Sequence, residues 1–322
     1  MKKVVIFGGG TGTFVVLSGL KKYRLDISVI VSMMDSGGST GRLRDQLGVL
    51  PPGDFRQCLV ALSEASELWR TLFLYRFETG DLKGHNFGNI FITALEKITK
   101  NYQEVVSTAS FILKTKGKVI PVTFDKVHLC VQYDDGGVIE TEDRIEHEAR
   151  AGKIKKAYLV PQARANEKAV KAISDADYLI FGPGDLYTSL IPNLLVGGIS
   201  EAITRSHAKI IMIANLMTKK GQTTHYTMSE HVRDLEKYLG KKIDIIVANS
   251  KKIEQAHLDY YAKFGEAEVV DDLHTAQKKY VIIKRELLSE VVHKKSSVDT
   301  AVRSLLRHDS EKVGTVLFEV VQ

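Results

Sequence analysis

Short apolar runs alternate with amphipathic stretches through most of the chain. Val4-Val5-Ile6-Phe7 is an unbroken β-branched and aromatic run, the pattern of a strand buried on both faces of a parallel sheet. Gly8-Gly9-Gly10-Thr11-Gly12-Thr13 breaks it, and Phe14, Val15, Leu17 and Leu20 then recur at helical spacing, with Thr11 or Thr13 available as a cap. A second strand is expected over residues 27–34, ending at Asp35. The device repeats: Tyr178-Leu179-Ile180-Phe181 runs into Gly182-Pro183-Gly184, 209–213 into Asn215, and 243–247 into Asn249-Ser250. Strand ends of this kind face ligands in a doubly wound sheet. Helical periodicity predicts further helices over residues 54–65, 86–97, 103–113, 167–174, 198–205, 229–238, 254–261 and 298–306.

Between about residues 118 and 160 the pattern changes. The runs 127–133 and 138–141 flank Asp134-Asp135-Gly136-Gly137, which reads as a hairpin with a glycine turn. The expected architecture is therefore α/β: a doubly wound, mostly parallel sheet flanked by helices, with a small β-rich insertion. No Gly/Ser linker, repeat or low-complexity segment appears, so one domain over 1–322 is expected.

Composition narrows the functional classes. With 44% hydrophobic and 26% charged residues, a 322-residue chain can bury a sizeable core, which excludes disorder and fibrous structure. Lys and Arg (45) modestly exceed Asp and Glu (39), favouring anionic ligands. The basic charge is not interleaved with aromatics, so nucleic acid is not an expected partner. Cys58 and Cys130 lie far apart in apolar stretches, which suggests neither a disulfide framework nor a metal knuckle and fits a reducing cytoplasm. The apolar run that follows Met1-Lys2-Lys3 stops at Gly8, too short for an export segment, and no stretch approaches the roughly 18 apolar residues of a membrane span. No HExxH or Gly-x-Ser-x-Gly pattern occurs, which leaves zinc and a nucleophile elbow unsupported.

The candidate chemistry lies at the glycine turns. At the first, Gly9, Gly10, Thr11, Gly12 and Thr13 offer free N–H groups and the positive end of a helix dipole to a phosphate; a plain tight turn is the alternative. The third glycine of the dinucleotide fingerprint is replaced by Thr13, and no Gly-Lys-Ser/Thr follows. Asp35 stands where a dinucleotide fold sets an acid against a ribose hydroxyl, yet it opens a second glycine-rich stretch, Ser36-Gly37-Gly38-Ser39-Thr40-Gly41-Arg42, suited to phosphate or sugar unless it is a solvated loop. Asp54 is placed to cap the helix after Pro51-Pro52, with Arg56 facing either solvent or cleft. Asn86, in His85-Asn86-Phe87-Gly88-Asn89, is either a ligand contact or a cap. Gly182, Pro183, Gly184, Asp185 and Tyr187, followed by Asn193, form another candidate turn, and Asp185 with Asp35 could hold a magnesium ion unless it caps a helix. Arg303 and Arg307 lie one turn apart on the last predicted helix, as a phosphate clamp or a solvated face.

Taken in order, Gly8-Gly9-Gly10-Thr11-Gly12, Met34-Asp35-Ser36-Gly37-Gly38-Ser39-Thr40-Gly41-Arg42-Leu43-Arg44, Leu50-Pro51-Pro52-Gly53-Asp54-Phe55-Arg56, His85-Asn86-Phe87-Gly88-Asn89 and Phe181-Gly182-Pro183-Gly184-Asp185-Leu186-Tyr187-Thr188-Ser189 closely resemble the gluconeogenesis factor family, YvcK-like proteins of the CofD-like superfamily. The resemblance spans nearly the whole chain. It implies a Rossmann-like domain that binds nucleotide-diphosphate sugars, typically UDP-glucose or UDP-N-acetylglucosamine, and supports cell-wall homeostasis and cell shape on gluconeogenic carbon sources, with no catalytic reaction established. Its sister branch, 2-phospho-L-lactate transferase, moves a phospholactyl group from a guanosine diphosphate conjugate to a deazaflavin alcohol with magnesium. Asp185 departs from the serine expected after Gly-Pro-Gly in that family.

The expectation is thus a cytoplasmic nucleotide-sugar-binding regulator, without a required cofactor, with a downstream protein partner and homo-oligomer formation left open. The first turn would hold the diphosphate, Asp35 a ribose or sugar hydroxyl, Ser39, Thr40 and Arg42 the distal phosphate or sugar, and Asn86, Asn193, Asn215, Arg307 and the 182–187 turn the rest of the cleft. A magnesium-dependent transferase using Asp35 and Asp185 is the enzyme alternative, and an NAD-binding oxidoreductase is the third.

Overall fold

The centre of the parallel sheet is built from the runs whose β-branched residues have no polar face. A computed structural model describes residues 1–99, 101–148, 150–273, 279–291 and 305–322. Its strands are β1 (Lys3–Gly8), β2 (Asp26–Val31), β3 (Lys118–Pro121), β4 (His128–Tyr133), β5 (Val138–Glu140), β6 (Ile154–Val160), β7 (Tyr178–Phe181), β8 (Lys209–Ile213), β9 (Ile245–Asn249) and β10 (Val281–Arg285). Seven of these form one sheet in the order β10-β9-β8-β7-β1-β2-β3, with every pairing parallel. Counted along that sheet this is the doubly wound order 3-2-1-4-5-6 extended by one strand, so the chain reverses direction between β1 and β7. At that reversal Phe7 and Phe181 stack with ring centroids 4.4 Å apart, closing the core beneath the turns.

Seven of the helices bear on the surfaces around the strand ends: α1 (Gly10–Leu20), α2 (Gly38–Leu47), α3 (Pro52–Leu62), α4 (Glu67–Leu74), α5 (Phe87–Thr99), α6 (Tyr102–Ile112) and α7 (Glu142–Glu148). Val16, Leu17 and Leu20 of α1 are fully buried, each contributing about 1.5–3 kcal/mol of hydrophobic stabilisation. On its other side α1 meets the C-terminal helix Ser310–Val321 through Gly19 and Gly314, where a Cβ on either would strike the other helix's backbone. Gly12 likewise lies against the carbonyl oxygen of Pro183, which locks the start of α1 to the turn after β7.

The insertion differs in extent from its expected range. Lys118–Pro121 is the edge strand of the parallel sheet, because Ser28 to Val31 of β2 pair with it, and the antiparallel sheet begins only at β4, in the order β5-β4-β6. Helix α7 closes this unit and escapes the sequence pattern, since only Ile145 of its residues is buried. Helix α2 escapes it too: Gly38, Ser39, Thr40 and Gly41 are poor helix formers, and close packing of Gly41 on the Ser36 carbonyl decides the matter instead. Strand β2 ends at Val31, short of Met34. Asp54 does not cap α3; Pro51 occupies that position and Asp54 sits inside the first turn. The expected helix over 298–306 lies outside the described residues except for Leu305 and Leu306, which are not helical, and Arg303 lies outside them as well. Among the described residues no helix is long and apolar enough to cross a membrane.

Candidate functional site

Parallel strands that end together leave their following turns side by side, and here two glycine turns line one cleft at the point where strand order reverses. The β1–α1 turn contributes Gly9, Gly10, Thr11 and Gly12; the β2–α2 turn contributes Asp35, Gly37, Gly38, Ser39 and Thr40. Gly184 and Asp185 enter from the turn after β7. The space amounts to ≈ 180 Å³. Beyond Gly12 and Gly184 lies an adjoining chamber of ≈ 100 Å³ lined by Pro183, Asn215, Lys219, Glu266 and Arg307.

Each turn is held by local chemistry. Gly10 takes a φ of +61°, a conformation costly for any residue with a Cβ. Asp35 accepts a hydrogen bond from the Gly37 N–H at 3.0 Å, an Asx turn that leads into α2. Behind the second turn runs a buried polar network. Asn89 donates toward the Ser39 hydroxyl at 3.3 Å and the Thr40 hydroxyl at 3.4 Å, and its carbonyl oxygen accepts from Arg56 Nε at 2.8 Å. Arg56 also donates to the Phe73 carbonyl at 3.0 Å. His85 Nδ1 lies 3.2 Å from the Ser39 hydroxyl, and burial followed by Arg42 and Arg76 holds its pKa below the ordinary range.

Packed directly against the main-chain donors is a cluster of carboxyl groups, most of which the sequence pattern does not single out. The Asp54 side chain lies against Gly9 and accepts from the Gly10 N–H. Burial, reinforced by Asp35 and Glu146, pushes its pKa up to about 8. Glu142 and Glu146 arrive on α7. Glu142 is raised well above its ordinary value by burial, then by Glu146 and Asp35, and Glu146 is raised to about 7 by burial and then by Asp185. Lys219 pairs with Glu266 at 3.3 Å; burial alone would lower its pKa, but Asp185, Glu266 and Glu146 together raise it.

Helix α7 is tied to the second glycine turn. The Asp143 N–H donates to the Ser36 hydroxyl at 2.9 Å, and the Ser36 N–H donates to Glu142 Oε2 at 3.1 Å. Thr141, just before this helix, takes a φ of +73°, a strained conformation for a β-branched residue.

Several candidate residues are placed elsewhere. Thr13 is 1% exposed beneath the first turn. Arg42 points outward and donates to the Lys83 carbonyl. Asn86 caps α5, accepting from the Asn89 N–H at 3.2 Å, and Gly182 forms the bend itself at φ +82°. The Tyr187 hydroxyl donates to Asp234 at 2.7 Å, and the Asn193 amide donates to the Ser189 carbonyl at 2.9 Å. Asn215 clamps the β7 turn through paired hydrogen bonds with Gly184. Asp35 and Asp185 face the same cleft from different strand ends: Asp35 acts on Asp54, Glu142 and Glu146, and Asp185 on Glu146 and Lys219. The carboxylate of Asp185 makes no capping hydrogen bond. Of the carboxyls that sequence reasoning misses as site residues, Asp54 alone carries a signal, since it sits in the Leu50–Arg56 motif. Nothing local marks Glu142 or Glu146.

Comparison with known proteins fits this geometry. The family model of 2-phospho-L-lactate transferase CofD matches residues 4–288. A Thermotoga maritima relative is 40% identical over 98% of both chains, and the Bacillus subtilis gluconeogenesis factor is 38% identical over 99% of this chain and 98% of that one. A crystal structure of a UPF0052 family protein from Bacillus halodurans superposes with a TM-score of 0.89 at 37% identity, covering 98% of this chain and 99% of that one. The chain belongs to the CofD-like family, in its gluconeogenesis factor branch.

Proposed function

We propose that the cleft binds a nucleotide-diphosphate sugar of the UDP-glucose or UDP-N-acetylglucosamine kind, and that the protein acts in the cytoplasm as a ligand-responsive regulator of cell-wall homeostasis and cell shape during growth on gluconeogenic carbon. The observation that carries this function is the meeting of two glycine turns, from adjacent parallel strands, in one open cleft. Main-chain N–H groups at a helix start favour phosphate oxygens, which here would compete with Asp54 for the Gly10 N–H and with Asp35 for the Gly37 N–H. The adjoining chamber gives the far end of an extended ligand room, with Asn215, Arg307 and the Lys219–Glu266 ion pair as polar contacts.

The carboxyl wall must be reconciled with an anionic ligand. The CofD-like family implies magnesium, and the donor set fits it: hard carboxylate oxygens of Asp35 and Asp54 border the place where a diphosphate would lie. Among the described residues no three His, Cys, Asp or Glu side chains come together as a ready metal site, so a magnesium ion there would take one or two carboxylates and complete its shell from phosphate and water. Bound there, the ion would neutralise charge between the phosphates and the carboxylates. Ser39 and Thr40, steadied by Asn89, would orient the ligand, and α7 would limit access of water. The same donors favour the transferase as the second possibility.

Calorimetric titration with UDP-N-acetylglucosamine, with and without magnesium and with NAD as the competing ligand, tests the proposal. Saturable binding is expected, abolished by Gly10→Val in protein whose circular dichroism is unchanged. No heat with any UDP-sugar overturns it. Release of nucleoside monophosphate from a guanosine diphosphate conjugate in the presence of a deazaflavin alcohol would favour the transferase.

A further inference from the structure

A second cavity opens at the opposite end of the same strands and shares no residue with the cleft. It encloses ≈ 500 Å³. Its floor is one face of the sheet: Val5, Ser28 and Lys118 stand in one row across β1, β2 and β3, and strand alternation puts Ile120 on the same face. Val106 of α6 and Ala172 of the helix Glu167–Ser174 form the walls, both half-buried. These two helices leave a strip of sheet between them uncovered.

Two independent features indicate what the strip receives. Ser28 lies in the middle of β2 among Ile27, Val29 and Ile30, is 6% exposed, lines the cavity, and has no hydrogen-bond partner for its hydroxyl among the described residues. That hydroxyl faces the open cavity within reach of water, so a ligand oxygen there would replace water as its partner. The rim is positively charged: Lys3, Lys118, Lys168 and Lys171 face only Asp26 and Asp175. Lys118 pairs with Asp26 at 3.2 Å, and Lys171 and Lys3 share Asp175 at 3.1 and 3.8 Å, whereas Lys168 has no acidic partner among the described residues.

We propose that this cavity binds a small amphipathic organic acid, a monocarboxylate with an acyl or aryl body of roughly six to ten carbons, the size and polarity such a cavity accommodates. The lysine rim holds the carboxylate, with Lys168 foremost. The hydrocarbon body lies between Val106 and Ala172 over Val5, and Ser28 donates its hydroxyl to a ligand oxygen. Because β1 and β2 run from this cavity to the two glycine turns, the acid would sit on the same two strands as the nucleotide ligand.

The test is titration of the full chain with decanoate below its micellar concentration, followed by calorimetry and by methyl NMR. Saturable one-to-one binding is expected. Lys168→Glu should weaken it about tenfold, since the variant both removes an attraction and adds a repulsion. Val106→Trp, which fills the groove, should abolish binding. Should that variant fail to fold, Ala172→Gln serves the same end from a half-exposed position, and decanol in place of decanoate should bind at least about tenfold more weakly for want of a charge. The proposal is overturned by the absence of saturable binding, by equal affinity in Lys168→Glu or Ala172→Gln, by equal affinity for decanol, or by capture on anionic lipid vesicles without binding of free decanoate.

Discussion

The two sets of groups that line the cleft are made from opposite materials. One set, Gly9 to Gly12 and Gly37 to Thr40, presents main-chain N–H groups and hydroxyls; the other, Asp54, Glu142, Glu146 and Asp185, presents carboxyls that in part rest on the first, three of them with raised pKa values. The first set suits an anion and is set by backbone shape. The second suits a cation or a proton and is set by how tightly α7 and α3 press onto the turns. Carboxyls this crowded cannot all ionise in a poorly solvated space. In the unliganded protein protons relieve the crowding; in the proposed complex a divalent cation would take their place.

The largest expected effect comes from breaking the backbone side. A side chain at Gly12 would meet the Pro183 carbonyl, a backbone atom that cannot swing aside. Gly12→Val is expected to cost about 3 kcal/mol, because overpacking against main chain forces α1 away from the β7 turn. Urea unfolding followed by circular dichroism reads this directly. Stability close to that of the unmodified protein would mean that α1 and the β7 turn are not packed as a unit.

The carboxyl side should reveal itself through pH. An ordinary aspartate titrates near 4, whereas Asp54 is pushed up to about 8 by burial and its acidic neighbours. The native state therefore binds more protons than the unfolded state between those values, and stability falls as pH rises through that window. Glu142 and Glu146 act in the same direction. Asp54→Asn removes one of these contributions without changing shape. With chelator present, the variant is expected to match the parent near pH 4 and to exceed it by about 2 kcal/mol at pH 8.5, less than full linkage would give because solvent reaches the cleft. Parallel stability curves for the two proteins would show that Asp54 titrates normally.

The same contrast explains what is legible in the sequence. A glycine turn announces itself because its residues are consecutive and its function is carried by the backbone, so β1, β2 and both turns can be placed without knowledge of the fold. The central parallel strands are equally plain, since Val4 to Phe7 or Tyr178 to Phe181 have no polar face to hide, whereas the edge strands escape, β3 because it is only four residues long and β10 because it is half-exposed. Asp54 misleads because a carboxylate near a helix start is usually a cap, and only the packing of α3 against the β1 turn directs it to Gly10 instead. Glu142 and Glu146 give no local signal, because their role depends on a helix of one buried residue being carried across the cleft by an antiparallel insertion. Asn86 and Tyr187 show the converse: motif residues whose hydrogen bonds are spent on a cap and on Asp234.

The smallest expected effect tests the stitch between the two sides. In the first turn of helix α7 the Asp143 N–H is met by the Ser36 hydroxyl, which lies 107 residues away along the chain. Ser36→Ala removes that cap while leaving the Ser36 N–H to Glu142 bond in place, so the expected loss is about 1 kcal/mol, the usual value of a helix cap. The change should be local. Hydrogen exchange at the Asp143 amide is expected to quicken by about fivefold, as that energy dictates if opening of α7 is independent of global unfolding, while amides of β1 and β2 keep their protection. Equal acceleration in all three would mean that α7 is an integral part of the sheet domain's cooperative unit. In that case the carboxyl wall could not adjust separately to an incoming ligand.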